Sequence, residues 1–133
     1  MKKIRITLFI LIFLTVASSC SKEPGLGGNS TIYGKIIAYD YNSEFTELKG
    51  IYPAEDQDVF LIFGNDLSYS ERIRSNYDGV YEFKYLRPGD YTVYVYSKDS
   101  TLTMPSEIYA VLRKVTIDQN KQTVEVDDIK IFR

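Results

Sequence analysis

Few side chains in this sequence could do chemistry. Cys20 is the only thiol and histidine is absent, which excludes histidine-based catalytic triads and most zinc sites. The acidic run Glu55-Asp56-Gln57-Asp58 offers oxygen ligands of the kind that Ca²⁺ prefers, and Asp56 and Asp58 could serve as the carboxylate pair of a hydrolase. The run matches no EF-hand spacing, and a solvated loop is the simpler interpretation. We therefore predict no catalytic residue, no metal site and no cofactor.

The N-terminus has the pattern of an export signal. A basic start is followed by an apolar run from Ile6 to Val16 and by the small residues Ala17, Ser18 and Ser19, an order typical of a secretory signal peptide. The apolar run is too short for a spanning helix, which needs about 20 residues. We expect residues 1–19 to form a signal helix that is removed on export.

The stretch Leu14-Thr15-Val16-Ala17-Ser18-Ser19-Cys20 resembles the lipobox of bacterial lipoproteins. The resemblance implies that the mature chain begins at Cys20 and that its thiol carries a diacylglycerol, with palmitate-like acyl chains. Ser21 follows, where an aspartate would favour the inner membrane, so the resemblance favours the outer membrane of a Gram-negative bacterium. Two or three acyl chains hold a protein on a bilayer without spanning it. The alternative is an ordinary secreted protein cut near Ala17 or Ser19.

The chain after the signal divides into a tether and one domain. Residues 20–30 include KEPGLGGNS, a composition that favours a flexible tether, and residues 31–133 suit one small domain. Removal of the signal leaves 13 of the 16 basic residues against 18 acidic residues, a net charge of −5. This charge argues against nucleic acid as a partner and against electrostatic docking on anionic lipid.

Period-two alternation of apolar residues recurs through the domain and predicts β-strands. The seven predicted strands are Thr31–Tyr41, Asp58–Phe63, Tyr69–Ser75, Val80–Tyr85, Tyr91–Ser97, Glu107–Ile117 and Gln122–Phe132. Short turns join most of them, and no segment has a convincing helical pattern. We therefore expect an all-β domain, a single seven-stranded antiparallel Greek-key β-sandwich. The segment from Asn42 to Gln57 is a long insertion without an assigned role.

The alternation also predicts which side chains point inward. Tyr81 and Phe83 should be buried, as should Tyr91, Val93 and Val95, whereas Tyr94 and Tyr96 should share the outer face. Tyr91 follows the corner Arg87-Pro88-Gly89, so its hydroxyl can bond a nearby backbone group as in a tyrosine corner.

The last strand changes phase in the middle. Val124 and Val126 share one face while Ile129 and Ile131 share the other, so we expect a bulge at Asp127-Asp128 to bring all four to the core.

The segment DGVYEFKYLRPGDYTVYV, from Asp78 to Val95, resembles the signature of carboxypeptidase regulatory-like domains in the transthyretin-like (prealbumin-like) group of β-sandwiches. That signature has Asp-Gly, an aromatic strand, Leu-x-Pro-Gly-x-Tyr and then alternating apolar residues. The resemblance implies the sandwich fold and names no ligand.

Three functions are compatible with these features. The first is a lipid-anchored, non-catalytic binding or structural module of the cell envelope, with Tyr94 and Tyr96 as contact residues for a glycan or an envelope protein. The alternatives are a hydrolase of envelope material or polysaccharide that uses Asp56 and Asp58, and an assembly subunit of a surface fibre that accepts a strand at the edge Tyr69–Ser75. Tyr94 and Tyr96 could instead pack beneath the Asn42–Gln57 insertion or form ordinary cross-strand pairs.

Overall fold

The computed structural model describes residues 23–133, so the predicted signal peptide over residues 1–19 and Cys20 lie outside the described residues. The described chain consists of β-strands joined by turns and loops, with no helix. Its strands are β1 (Leu26–Tyr41), β2 (Leu48–Pro53), β3 (Asp58–Phe63), β4 (Glu71–Arg74), β5 (Val80–Leu86), β6 (Gly89–Lys98), β7 (Ile108–Ile117), β8 (Thr123–Glu125) and β9 (Ile129–Phe132). Accordingly, residues 23–133 contain no helix that could cross a bilayer.

The strands form two sheets. One sheet has four strands in the order β4-β3-β6-β7, and the other has five strands arranged around β1. β1 pairs with β5 and β2 in antiparallel fashion and with β8 and β9 in parallel fashion. The all-β prediction is confirmed, but the predictions of seven strands and of purely antiparallel pairing are wrong.

Two segments account for the extra strands. The Asn42–Gln57 insertion folds back on the end of β1 as β2, which pairs Tyr39 with Ile51. The final predicted strand is interrupted between Glu125 and Ile129, so β8 and β9 pair separately with β1. This interruption coincides with the expected phase change, and Val126, Ile129 and Ile131 are all buried.

The pairing partner of β1 changes at Ile36, because β5 pairs with the residues before it and β2 pairs with the residues after it. Its N–H donates to the Gly79 carbonyl at 2.9 Å, and its own carbonyl accepts from the Ala54 N–H at 2.9 Å. Gly79 has a φ of +74°, and an added Cβ would lie 2.6 Å from the Ile36 carbonyl oxygen. A glycine is needed here because a side chain would collide with the central strand.

The hydrophobic core lies between the sheets and confirms the predicted inward positions. Its members are Ile32, Ile36, Ala38, Ala54, Val59, Leu61, Tyr81, Phe83, Leu86, Tyr91, Val93, Val95, Val115, Ile117, Val126, Ile129 and Ile131. Val124 is partly buried against them.

The N-terminal part of the domain differs from the expected tether. β1 starts at Leu26 rather than Thr31, so Leu26–Ser30 belongs to a sheet. Just before it, the Gly25 carbonyl accepts a hydrogen bond from the Arg87 N–H at 2.8 Å. The composition of this segment is typical of a linker, but its backbone groups are paired with the β5–β6 corner.

Tyr91 is the side chain that joins these two segments. Its hydroxyl donates to the Arg87 carbonyl at 2.6 Å and accepts from the Gly25 N–H at 2.8 Å. Burial raises the pKa of Tyr91, although the backbone hydrogen bond with Gly25 and the Arg87 charge act in the opposite direction. The predicted tyrosine corner is thus confirmed, with a second bond to the N-terminal segment.

Tyr81 is buried without such partners. It lies opposite Gly34 on β1, where an added Cβ would collide with the Tyr81 hydroxyl. That hydroxyl has no hydrogen-bond partner, and burial raises the pKa of Tyr81 far above its usual value. The ring therefore fills the space above the glycine, while its hydroxyl adds an unsatisfied polar group.

These two tyrosines should respond differently to loss of the hydroxyl. We expect Tyr91→Phe to lower the free energy of unfolding by about 1–3 kcal/mol, because the Gly25 N–H and the Arg87 carbonyl lose their partner. Tyr81→Phe should be neutral or slightly stabilising, because it removes a buried group that bonds nothing. Urea unfolding followed by circular dichroism measures both values, and equal losses in the two variants would contradict this account.

Candidate functional site

The outer face of the four-stranded sheet carries an aromatic surface, formed by Phe60, Tyr69, Tyr94 and Tyr96. Phe60 on β3 lies opposite Tyr94 on β6, and their rings stack with centroids 4.8 Å apart and planes 10° apart. Tyr69 and Tyr96 flank Phe60, with centroids at 5.0 Å and 5.6 Å. Each of the three tyrosine rings therefore contacts Phe60, and Tyr94 also contacts Tyr96.

The core determines this arrangement. Because Tyr91, Val93 and Val95 are buried, the intervening residues of β6 must point to the other face of the sheet. Phe60 is itself only 8% exposed, whereas Tyr69 and Tyr96 are 47% and 44% exposed. Phe60 at the centre of the aromatic surface is therefore buried, whereas Tyr69 and Tyr96 at its margins are exposed to solvent.

The neighbouring strands extend the aromatic surface on both sides. On β7, Leu112 lies opposite Tyr94 and Ala110 lies opposite Tyr96, and both are exposed. On the other side, Arg72 of β4 lies opposite Phe60. Burial raises the pKa of Tyr94, and neighbouring Tyr96 raises it further, so the Tyr94 hydroxyl remains a protonated hydrogen-bonding group at neutral pH.

The prediction that Tyr94 and Tyr96 share an outer face is confirmed, and Phe60 and Tyr69 are their partners. β2 forms in the other sheet, so the Asn42–Gln57 insertion does not cover these rings as one alternative supposed. The Phe60–Tyr94 pair does match the cross-strand alternative. Sequence reasoning missed Phe60 as a site residue, because DVFLIF is apolar at every position after Asp58 and therefore shows no alternation.

The acids considered as candidates for catalysis are engaged with arginines. Asp58 is 3.2 Å from Arg72 Nε and 3.3 Å from Arg74 Nε, and Asp56 is 3.4 Å from Arg74 Nη1. Asp56, Arg72 and Arg74 are exposed, and Asp58 is partly exposed. Within residues 23–133, no three Asp, Glu, His or Cys side chains are grouped so that they could hold a metal ion.

A concave region lies at the end of the sandwich where β1 and β9 finish, which is the end opposite Pro24 and Gly25. This distal cleft has a volume of about 830 Å³, and its lining includes Tyr41, Phe45, Lys98, Met104 and Arg133. It separates the loop after β1 from the loop before β7.

Asp99 organises one wall of the distal cleft. Its carboxylate accepts hydrogen bonds from the Thr101 hydroxyl at 2.6 Å and from the Thr103 and Met104 N–H groups at 2.9 Å and 2.8 Å. The Thr101 hydroxyl first, and then these backbone N–H groups, hold the pKa of Asp99 well below its usual range. The side chain is fully used in shaping the loop, which leaves it a structural role.

Comparison with known proteins assigns no family. No protein-family model matches the sequence, and no curated protein matches it. A solved structure of a proposed carbohydrate-binding protein from Pseudomonas aeruginosa aligns over 88% of this chain and 94% of its own, with 13% identity and a TM-score of 0.46. A minor pilin from Streptococcus agalactiae aligns over 77% of this chain with 14% identity and a TM-score of 0.37, and the alignment spans 45% of the pilin chain. At these scores, neither likeness carries an argument about function.

The order of the Asp99 loop should depend on pH. The lowered pKa of Asp99 means that its stabilising hydrogen bonds are fully present above the unfolded value of about 3.9 and are lost as the pH falls through the folded value. In NMR spectra of the folded protein, we expect the amide signals of Thr103 and Met104 to stay unchanged through about pH 4, where an ordinary aspartate titrates, and to shift only at clearly lower pH. Asp99→Asn should abolish this titration, whereas Asp127→Asn should leave it intact. A titration that persists in Asp99→Asn would contradict the assignment.

Proposed function

We propose that this protein is a lipid-anchored, non-catalytic binding module of the bacterial cell envelope. The observation that carries the proposal is the aromatic surface, which lies on a sheet face that no other described part of the chain covers. The lipobox-like stretch ending at Cys20 supports the anchor. The proposal includes removal of residues 1–19 and location at the outer membrane of a Gram-negative bacterium.

The proposed domain type is a carboxypeptidase regulatory-like Greek-key sandwich. The conformation of its signature segment supports this assignment. Gly79 takes the positive φ that its turn requires, and Tyr91 forms the corner that the Leu-x-Pro-Gly-x-Tyr pattern implies.

The aromatic surface suits a glycan or an envelope protein as its partner. Tyrosine combines a broad apolar ring with a hydroxyl that bonds polar groups, and aromatic residues of this kind dominate contact energies at binding surfaces. The stacked pair of Phe60 and Tyr94 holds the flanking rings of Tyr69 and Tyr96 in place, which reduces the entropy lost on binding. Arg72 at one margin adds hydrogen-bond donors.

A hydrolase is a weaker interpretation. Both candidate acids are engaged in ion pairs, because Asp58 contacts two arginines and Asp56 contacts one. These ion pairs give the two acids a structural explanation on the sheet edge.

Assembly into a fibre is the second candidate, and the edges of the four-stranded sheet favour it. β4 and β7 are the terminal strands of that sheet. β4, which lies in the predicted acceptor edge Tyr69–Ser75, has only four residues, of which three are charged, and these features protect an edge from pairing. β7 has ten residues and exposes Leu112, so it is the more open edge. Ordered polymers of the acylated protein in sedimentation experiments would favour assembly over binding.

The anchor is tested on Cys20. We expect the protein purified from membranes to begin at Cys20 and to carry two or three acyl chains. The Cys20→Ala variant should be found in soluble fractions, because the acyl chains alone hold a protein of this kind on the bilayer. Intact mass spectrometry and membrane fractionation check both points. A mature protein with an unmodified thiol would contradict the anchor.

The aromatic surface is tested with a double variant. We expect Tyr69→Ala combined with Tyr96→Ala to weaken binding to an envelope glycan or protein by about tenfold or more, as loss of aromatic anchor residues does elsewhere. Both side chains are about half exposed, so the free energy of unfolding should change little.

Tyr77→Ala is the matched control, because Tyr77 is 79% exposed and lies outside the aromatic surface. A glycan array and an envelope pull-down identify the partner, and calorimetry measures the affinities. Equal losses in the control and the double variant, or no binding in either screen, would refute the assignment.

A further inference from the structure

The chain is tied to one end of the sandwich almost as soon as the described residues begin. Pro24 approaches both turn glycines of the neighbouring loops, lying 3.5 Å from a Cβ placed at Gly64 and 2.7 Å from one placed at Gly89. Gly25 then bonds the Tyr91 hydroxyl and the Arg87 N–H. The position of the N-terminal segment is therefore set by the fold from Pro24 onward.

Very little chain remains between this point and the proposed anchor. Only Ser21, Lys22 and Glu23 separate Cys20 from Pro24. Even a fully extended backbone bridges this interval with about 14 Å at most. β6 alone has ten residues and spans roughly 33 Å. An acylated Cys20 can therefore lie near one end of the sandwich and cannot reach the other.

We call the end that receives Pro24 the anchor-side end. It comprises residues 64–68 of the loop between β3 and β4, the corner between β5 and β6, and the turn between β7 and β8. Strand directions put these three connections together, because the Gly25 carbonyl bonds Arg87, Phe63 pairs with Tyr91, and Gly89 pairs with Ile117.

Among residues 23–133, the most exposed apolar side chain of the anchor-side end is Leu67. Leu67, in the loop Gly64–Ser70, is 104% exposed. The base of this loop is held by a hydrogen bond of 2.8 Å from the Gly64 N–H to the Asp90 carbonyl. Exposure of a leucine side chain to water is unfavourable, and its transfer to an apolar surrounding lowers the free energy. The hydrogen-bonded base of the loop holds Leu67 in this exposed position.

The charges near this loop indicate the kind of lipid surface. Glu23, Asp66 and Asp90 line one depression of about 540 Å³ beside Pro24. These carboxylates would be repelled by anionic headgroups, so the fitting surface is zwitterionic.

We propose that the anchor-side end lies against the zwitterionic surface of the bilayer that holds the acylated Cys20, with Leu67 entering the headgroup layer. This inference rests on the proposed function, because it needs the anchor. It deepens that function by giving the module an orientation. In this orientation the aromatic surface lies on the side of the domain, between its two ends, and the distal cleft points away from the membrane.

The experiment uses the full acylated protein in phosphatidylcholine vesicles that contain a lipid with a spin-labelled headgroup. Acylation consumes the thiol of Cys20, so Leu67→Cys supplies a single site for a fluorescent label. Ser43→Cys is the matched control, because Ser43 is exposed on the loop that lines the distal cleft. We expect strong quenching of the label at residue 67 and none at residue 43, because the two positions lie at opposite ends of strands roughly 30 Å long.

A second variant tests the role of the short link. A Gly-Ser insertion of about ten residues between Ser21 and Lys22 lets the domain move away from the surface, and it should reduce the quenching at residue 67. Equal quenching at residues 67 and 43, or quenching that the insertion does not change, would overturn the orientation while leaving the anchor intact. A protein that lacks acyl chains and does not float with the vesicles would overturn the proposed function and the orientation together.

Discussion

The Tyr91 hydroxyl makes the contact on which much of this structure depends. It receives a hydrogen bond from Gly25 and gives one to Arg87, so it joins the start of β1 to the corner between β5 and β6. Gly25 and Arg87 are also bonded directly through their backbones. Because β1 belongs to one sheet and β6 to the other, this one side chain links the two layers at the end where the chain enters the domain.

Tyr91 also belongs to the buried face of β6, whose packing determines which residues lie on the outer face of the same strand. Tyr91 begins the buried series of β6, which continues with Val93 and Val95, and this series forces Tyr94 and Tyr96 outward. The aromatic surface is therefore a consequence of core packing on the opposite side of β6. A shift of register by one residue would bury the outer tyrosines and expose the valines, at a large hydrophobic cost.

The position of the N-terminal segment also bears on how the module would act on a membrane. A long flexible tether would let the domain rotate freely and expose every face equally. With Pro24 and Gly25 fixed on the fold, the proposed lipid anchor would constrain the domain from one end, and partners would approach from the side or from the distal end. The aromatic surface runs along the strands, so it remains accessible in this arrangement.

The sequence by itself determined the fold class and the facing of most core residues. Alternation with period two places Tyr81, Phe83 and Val93 inward, and the corner motif predicts the hydrogen-bonded role of Tyr91. These inferences succeed because the direction of a side chain along a strand is a local property, which depends on its neighbours in the chain.

Only the tertiary structure decided which strands are neighbours. The parallel pairing of β8 and β9 with β1, the addition of β2 and the contact of Phe60 with Tyr94 all join segments that are distant in sequence. The docking of Gly25 has the same origin, because its glycine-rich surroundings have the composition of a linker and are ordered by bonds to Arg87 and Tyr91. Local composition records the conformations that a segment can adopt, whereas the partner that pairs its backbone groups is supplied by the rest of the fold.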